Sequence, residues 1–122
     1  MIEPNFILLY VDSPAASATF YSKLLGKSPV GSSPTFAMFA LDSGVKLGLW
    51  SKHTVQPVAT LVGGSELAFA VADKSVVNDV FADWADRGLA ISQQPTQMDF
   101  GFTFVALDPD GHRLRVFASS AE

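Results

Sequence analysis

Residues capable of catalysis are scarce in this chain of 122 residues. It contains no cysteine, which removes disulfides, thiolate metal sites and cysteine nucleophiles from consideration. The two histidines, His53 and His112, lie far apart in the sequence, each in a predicted loop or turn. They form neither a Ser–His–Asp arrangement nor a pair of metal ligands at the usual spacing. The sequence therefore favours a binding protein over an enzyme, with no catalytic residue, metal ion or cofactor.

Three other side chains offer chemistry suited to recognition. Arg115 could bind a carboxylate through its guanidinium fork, or it could pair with Glu66 across a sheet. In that pair Glu66 would neutralise Arg115 in an empty pocket, or it could orient an amine of the ligand. Trp50 could be a stacking platform for a flat molecule, or an aromatic residue of the core or of a dimer interface.

The elements that position these residues follow from an internal repeat. Leu9-Tyr10-Val11 is followed by Ser13 and a helical pattern, and sixty positions later Phe69-Ala70-Val71 is followed by Asp73 and a second helical pattern. Residues 39–47 are similarly echoed by residues 105–114. Each half is therefore predicted as strand, helix and several strands. Residues 1–122 then form one domain of two modules, at about 1–60 and 61–122.

Turn and cap residues support this division into elements. Ser13 is a predicted N-cap with Pro14 in the first helical position, and Gly26 suits the left-handed position after the helix. The second helix carries an apolar stripe that includes Trp84 and ends near Gly88. Turn residues near positions 42–44 and 108–111 predict a hairpin at the end of each module.

Alternation along the predicted strands separates a uniformly apolar face, expected to pack under the helices, from a mixed face. The mixed face combines apolar walls, a few polar groups and small residues, which is typical of a ligand site. Gly48 is expected to open space beside Trp50. The predicted ligand-binding residues are Phe6, Tyr10, Phe36, Met38, Gly48, Trp50, Glu66, Phe102, Phe104 and Arg115.

Composition limits the class of partner. The net charge is −4 and the 8 basic residues are scattered, so no nucleic-acid partner is expected. No apolar run approaches the roughly 20 residues that a membrane span needs, and no secretory signal is recognised at the N-terminus. Together with the absence of cysteine, these features predict a cytoplasmic protein.

Two stretches carry a resemblance to a known family. Residues 9–26, with Phe20-Tyr21 and Leu25-Gly26, and residues 104–116, with Asp-Pro-Asp-Gly-His at 108–112, resemble the vicinal oxygen chelate superfamily. This superfamily contains glyoxalase I, bleomycin-resistance proteins and extradiol dioxygenases. The resemblance implies an α+β fold of two βαβββ modules, which form a curled mixed sheet around a cavity. It also implies a homodimer.

The resemblance has consequences for the site. Metal-dependent members hold their ion with one His, Gln or Glu from each of four strands, at positions that fall here at Phe6, Gly48, Glu66 and Arg115. Only Glu66 could bind a cation, and Arg115 would repel one. Residues 44–51 and 99–104 are similar to the metal-free group that sequesters aromatic antibiotics, including phenazine-resistance proteins. In that group a tryptophan at the position of Trp50 stacks on the planar drug.

Three hypotheses about function follow. The leading one is metal-independent binding and sequestration of a small planar aromatic compound by a cytoplasmic homodimer. The alternative is a metal-dependent enzyme of the same superfamily, a lyase, dioxygenase or thiol transferase with an atypical metal site. The third is a sensor or partner-binding module in which the mixed face is a dimer interface.

Overall fold

Two helices and eight strands make up the computed structural model, which describes residues 2–62 and 64–120. The first unit, Met1–Val62, contains β1 (Phe6–Val11), α1 (Pro14–Leu25), β2 (Gly31–Ser33), β3 (Phe36–Ala40) and β4 (Lys46–Ser51). The second unit, Gly63–Glu122, contains β5 (Glu66–Ala70), α2 (Lys74–Asp86), β6 (Ala90–Met98), β7 (Gly101–Leu107) and β8 (Arg113–Ser119). That the two units form one domain stays a prediction.

The two units repeat one topology. Each has a four-stranded mixed sheet, in the order β1-β4-β3-β2 and β5-β8-β7-β6. The first strand of each unit pairs in parallel with the last, and the remaining pairs are antiparallel. Each unit is therefore a βαβββ module, which confirms the predicted α+β fold class. None of the helices in the described part of the chain is long and apolar enough to cross a membrane.

Side-chain caps set where the helices begin. The Ser13 hydroxyl accepts a hydrogen bond from the Ala16 amide at 3.2 Å, and Pro14 opens α1 as predicted. The Asp73 carboxylate accepts one from the Val76 amide at 3.1 Å and so begins α2. Helix α1 ends at Gly26, whose φ of 65° is the left-handed conformation that glycine adopts without steric cost.

The predicted apolar face lies under the helix in both units. In the first unit Val11, Leu47 and Leu49 are buried, and Tyr21 of α1 is buried with them. In the second unit Leu114 and Val116 are buried along with Val77 and Trp84 of α2. Burial of these side chains is the main source of stability for each module.

Two predicted ligand-binding residues lie on the helix side of the second sheet. Phe104 pairs with Val116 in the β7–β8 register and is completely buried, with its ring 5.4 Å from that of Phe81 and 5.5 Å from that of Trp84. Phe102 points to the same side, where the Lys74 ammonium lies 4.6 Å from its ring centre. The structure therefore separates these two residues from the predicted ligand-binding residue Arg115, because strand alternation puts them on the opposite face of the sheet.

Candidate functional site

The mixed face of the first unit is built by the register of three strands. Strand β1 pairs Leu8 with Gly48 and Tyr10 with Trp50, and strand β3 pairs Met38 with Gly48. Alternation then directs the side chains of one set of residues to the same face of the sheet. This set, the first-unit face, consists of Phe6, Leu8, Tyr10, Phe36, Met38, Lys46, Gly48 and Trp50.

Space above Gly48 is filled rather than open. A Cβ atom at this position would lie 2.7 Å from Leu8 Cδ2, 2.8 Å from Phe36 Cζ and 2.9 Å from Phe6 Cε1. The missing side chain thus lets two aromatic rings and a leucine approach the backbone. The expectation that Gly48 leaves room for a ligand is corrected, since the chain's own side chains occupy that room.

Aromatic surface on this face remains partly accessible. Trp50 is half-buried and meets Phe36 edge-to-face, with ring centres 6.1 Å apart. Phe6, Leu8 and Tyr10 are 41%, 43% and 44% exposed, an unusual degree for three large side chains of one strand. The first unit therefore presents an accessible aromatic surface next to Trp50.

The second-unit face is organised around Arg115. Its guanidinium donates to both oxygens of Glu66, from Nε at 2.6 Å and from Nη2 at 3.3 Å. Nη1 donates to Gln93 Oε1 at 3.3 Å and to Thr103 Oγ1 at 3.2 Å. Thr103 in turn donates to the Val116 carbonyl, so its hydroxyl oxygen is oriented to accept from Arg115. The predicted ion pair between Arg115 and Glu66 is present, and it is bidentate.

Gln93 and Thr103 were not predicted from the sequence. Thr103 lies on the same side of β7 as Val105, and Val105 pairs with Arg115. Alternation along β7 could therefore have placed Thr103 on the Arg115 face, once the β7–β8 hairpin was predicted. Alternation gives no such placement for Gln93, because the β6–β7 register shifts on both sides of it. Arg115 also lies 5.7 Å from the ring centre of Phe100, which packs edge-to-face on Phe117.

A cleft of about 240 Å³ opens beside this network. It is lined by Ser92, Gln93, Val105, Arg113 and Arg115. Arg113 is exposed, and its side chain forms no hydrogen bond or ion pair with the described residues. Two guanidinium groups of the second unit thus line one cleft. That of Arg115 is held by hydrogen bonds, and that of Arg113 makes none with the described residues.

The repeat relates the two faces position by position. By strand register, Gly48 of β4 corresponds to Arg115 of β8, and Phe6 of β1 corresponds to Glu66 of β5. An apolar cluster in one unit thus occupies the positions of a polar network in the other. The same backbone supports two different surfaces.

This architecture agrees with the comparison to known proteins. A model of the Glyoxalase/Bleomycin resistance protein/Dioxygenase superfamily matches residues 4–116. The chain belongs to this superfamily.

Three known proteins illustrate what this chain is similar to. The phenazine antibiotic resistance protein EhpR of Enterobacter agglomerans is 30% identical over 118 residues, which cover 94% of this chain and 91% of that protein. A protein of Agrobacterium tumefaciens solved by solution NMR is 55% identical with a TM-score of 0.90, over 99% of this chain and 100% of that one. A glyoxalase-related enzyme of Fulvimarina pelagi is 23% identical with a TM-score of 0.83, over 98% of this chain and 89% of its own, which is a likeness of fold.

The residues at the four positions that the resemblance assigns to metal ligands do not suit a metal ion. Phe6 and Gly48 offer no donor atom, and the ring of Phe6 lies over Gly48. Both oxygens of Glu66 already accept hydrogen bonds from Arg115, whose positive charge would repel a cation. The donor set thus lacks the several neutral or anionic ligands that transition metals require.

Each of the two histidines lies within hydrogen-bond distance of an aspartate. His112 Nδ1 lies 2.7 Å from Asp108 Oδ2, and this hydrogen bond raises the pKa of His112 although partial burial opposes the shift. Asp108 is buried and also accepts from the backbone amides of Asp110 and His112, so it holds the β7–β8 turn. His53 Nε2 lies 2.7 Å from Asp12 Oδ1, and this hydrogen bond lowers the pKa of Asp12.

Proposed function

We propose that this protein binds a small planar aromatic compound without a metal ion and protects the cell by sequestering it. One observation carries the proposal. The four positions at which metal-dependent relatives bind their ion hold an apolar contact, Phe6 on Gly48, and an ion pair, Glu66 with Arg115. The name of the relative EhpR, a phenazine antibiotic resistance protein, supports the choice of a planar aromatic ligand.

The chemistry of the two faces is consistent with such a ligand. Trp50 and Tyr10 offer large, rigid π surfaces, and stacking on such a surface contributes about 0.5–1.5 kcal/mol beyond the burial of area. In the second unit Arg115 offers a positive charge whose geometry is already fixed by Glu66. The aromatic surfaces suit a flat molecule, and the guanidinium suits a polar or anionic group.

Fluorescence quenching provides the direct test. The chain has two tryptophans, and Trp84 is buried under the second sheet whereas Trp50 lies on the first-unit face. We expect phenazine-1-carboxylate to quench the fluorescence of the Trp84→Phe variant as it quenches that of the unchanged protein. Quenching is expected to be lost in Trp50→Phe, while thermal denaturation shows both variants folded.

Two results would overturn the proposal. The first is the absence of binding of every planar aromatic compound tested, measured by fluorescence and by calorimetry. The second is binding that disappears with EDTA and returns with a stoichiometric transition metal. That result would favour the metal-dependent enzyme instead.

A further inference from the structure

The cleft of the second unit contains cationic chemistry that the proposed function leaves without a role. Arg115 has five N–H donors. Four of them are used by Glu66, Gln93 and Thr103. Arg113, which lines the same cleft, uses none of its five with a described residue. Glu66 lies opposite Arg113 in the strand register, yet its carboxylate bonds to Arg115.

The charge balance of the cleft selects the kind of ion. Two guanidinium groups and one carboxylate leave a net charge of +1 at this surface of a chain whose total charge is −4. A singly charged anion neutralises that surface, and a cation is repelled. Guanidinium groups bind carboxylates in a planar, bidentate geometry.

The size of the cleft indicates which part of a ligand it holds. Sites that enclose a whole drug-sized ligand usually measure about 300–1,000 Å³. This cleft measures about 240 Å³, so it accommodates a substituent with part of one ring. The ring of Phe100 is exposed, and its centre lies 5.7 Å from the guanidinium carbon of Arg115, which lines the cleft.

We infer that the cleft lined by Arg113, Arg115 and Gln93 binds the carboxylate of a singly charged aromatic acid. Arg113 is the main contact, and Arg115, held by Glu66, supplies one remaining N–H and a fixed positive charge. The inference rests on the proposed function, because it assigns the ligand's charge and the residue that recognises it.

Two ligands that share one ring system test this charge selectivity. We expect phenazine-1-carboxylate to bind about tenfold more tightly than phenazine-1-carboxamide, measured by calorimetry near neutral pH. Arg113→Gln should abolish that preference by weakening the binding of the carboxylate. Arg87→Gln removes the same charge from α2, where Arg87 pairs with Asp83, and should preserve the preference.

The outcomes separate this inference from the proposed function. Equal binding of the two ligands by the unchanged protein, or a preference that survives in Arg113→Gln, overturns the inference and leaves the proposed function standing. Failure of both ligands to bind overturns both. In a second measurement benzoate should shift the NMR signal of the Arg113 Nε–H group more than neutral benzamide does, and equal shifts also overturn the inference.

Discussion

Arg115 owes its orientation to groups from three other strands. Glu66 comes from β5, Gln93 from β6, Thr103 from β7, and Arg115 itself from β8. The side chains of Arg115 and Glu66 are only 17% and 28% exposed, so the pair is screened less than a surface ion pair. The pair therefore contributes both to stability and to the shape of the cleft.

Replacing Glu66 by Gln should lower the free energy of unfolding by about 1–2 kcal/mol, because Arg115 would keep its charge but lose its counter-ion. Urea denaturation measures the change. Asp83→Asn is the matched control, since it breaks an exposed ion pair with Arg87 on α2 and should cost less than about 0.5 kcal/mol. Equal losses in the two variants would contradict the role assigned to Glu66.

His112 makes the stability of the protein depend on pH. Its folded-state pKa lies above the usual value of 6.5, so its ion pair with Asp108 stabilises the fold fully below that pH. The contribution is lost as pH rises through the folded-state pKa. An NMR titration of His112 should show the raised pKa, and Asp108→Asn should bring it back toward 6.5.

The loss of stability in Asp108→Asn should therefore be larger at about pH 5.5 than at about pH 9. Asp12→Asn breaks the exposed contact with His53 and provides the control, with a smaller pH-dependent change expected. A pKa of His112 at or below 6.5 would contradict this prediction.

At the scale of elements, the strand registers determine what each face can do. Strands β1, β3 and β4 bring apolar side chains together over Gly48, whereas β5, β7 and β8 bring a charged network together at the corresponding Arg115. The repeat thus preserves the backbone pairing and changes the side chains. One module presents aromatic surface and the other presents charge.

Substitution at Gly48 tests how closely the strands' side chains pack. Gly48→Ala should lower the free energy of unfolding by about 1–3 kcal/mol, because the new Cβ would overlap Leu8, Phe36 and Phe6. Gly31→Ala on β2 is the control, since a Cβ there meets no atom within 4 Å, and its effect should be within about 0.5 kcal/mol. Similar losses at both positions would contradict the close packing above Gly48.

Much of the fold could be predicted because its signals are local. The caps at Ser13 and Asp73 and the alternation in β1 act within a few residues, so the sequence shows them directly. The side of β7 that carries Phe104 depends on how β7 pairs with β8 across the turn at 108–112. The aromatic side chain of Phe104 suggested a wall of the ligand site, but the cross-strand register places Phe104 against α2.

For the whole molecule, the exposed side chains of β1 raise the question of assembly. Phe6, Leu8 and Tyr10 lie on a strand at the edge of its sheet, with two fifths or more of each side chain accessible. Monomeric soluble proteins rarely leave such a row uncovered. We propose that the protein is a homodimer.

Sedimentation velocity tests this proposal. We expect a species of twice the 13.0 kDa chain mass at micromolar concentrations, with or without a planar aromatic ligand. A protein that sediments as one chain at every concentration would contradict the homodimer. In that case a ligand, and not a second copy of the chain, would cover the first-unit face.

The sequence by itself determined the two βαβββ modules, the helix starts and the superfamily, since these depend on local patterns and on motifs. It offered the pairing of Glu66 with Arg115 as one of two roles for Arg115. Tertiary structure alone decided three features: the burial of Phe104 under α2, the filled space over Gly48 and the addition of Gln93 to the Arg115 network. Each depends on contacts between strands that are distant in the chain. The physical reason is that alternation assigns a side chain to one of two faces, whereas register and bulges decide which side chains then meet.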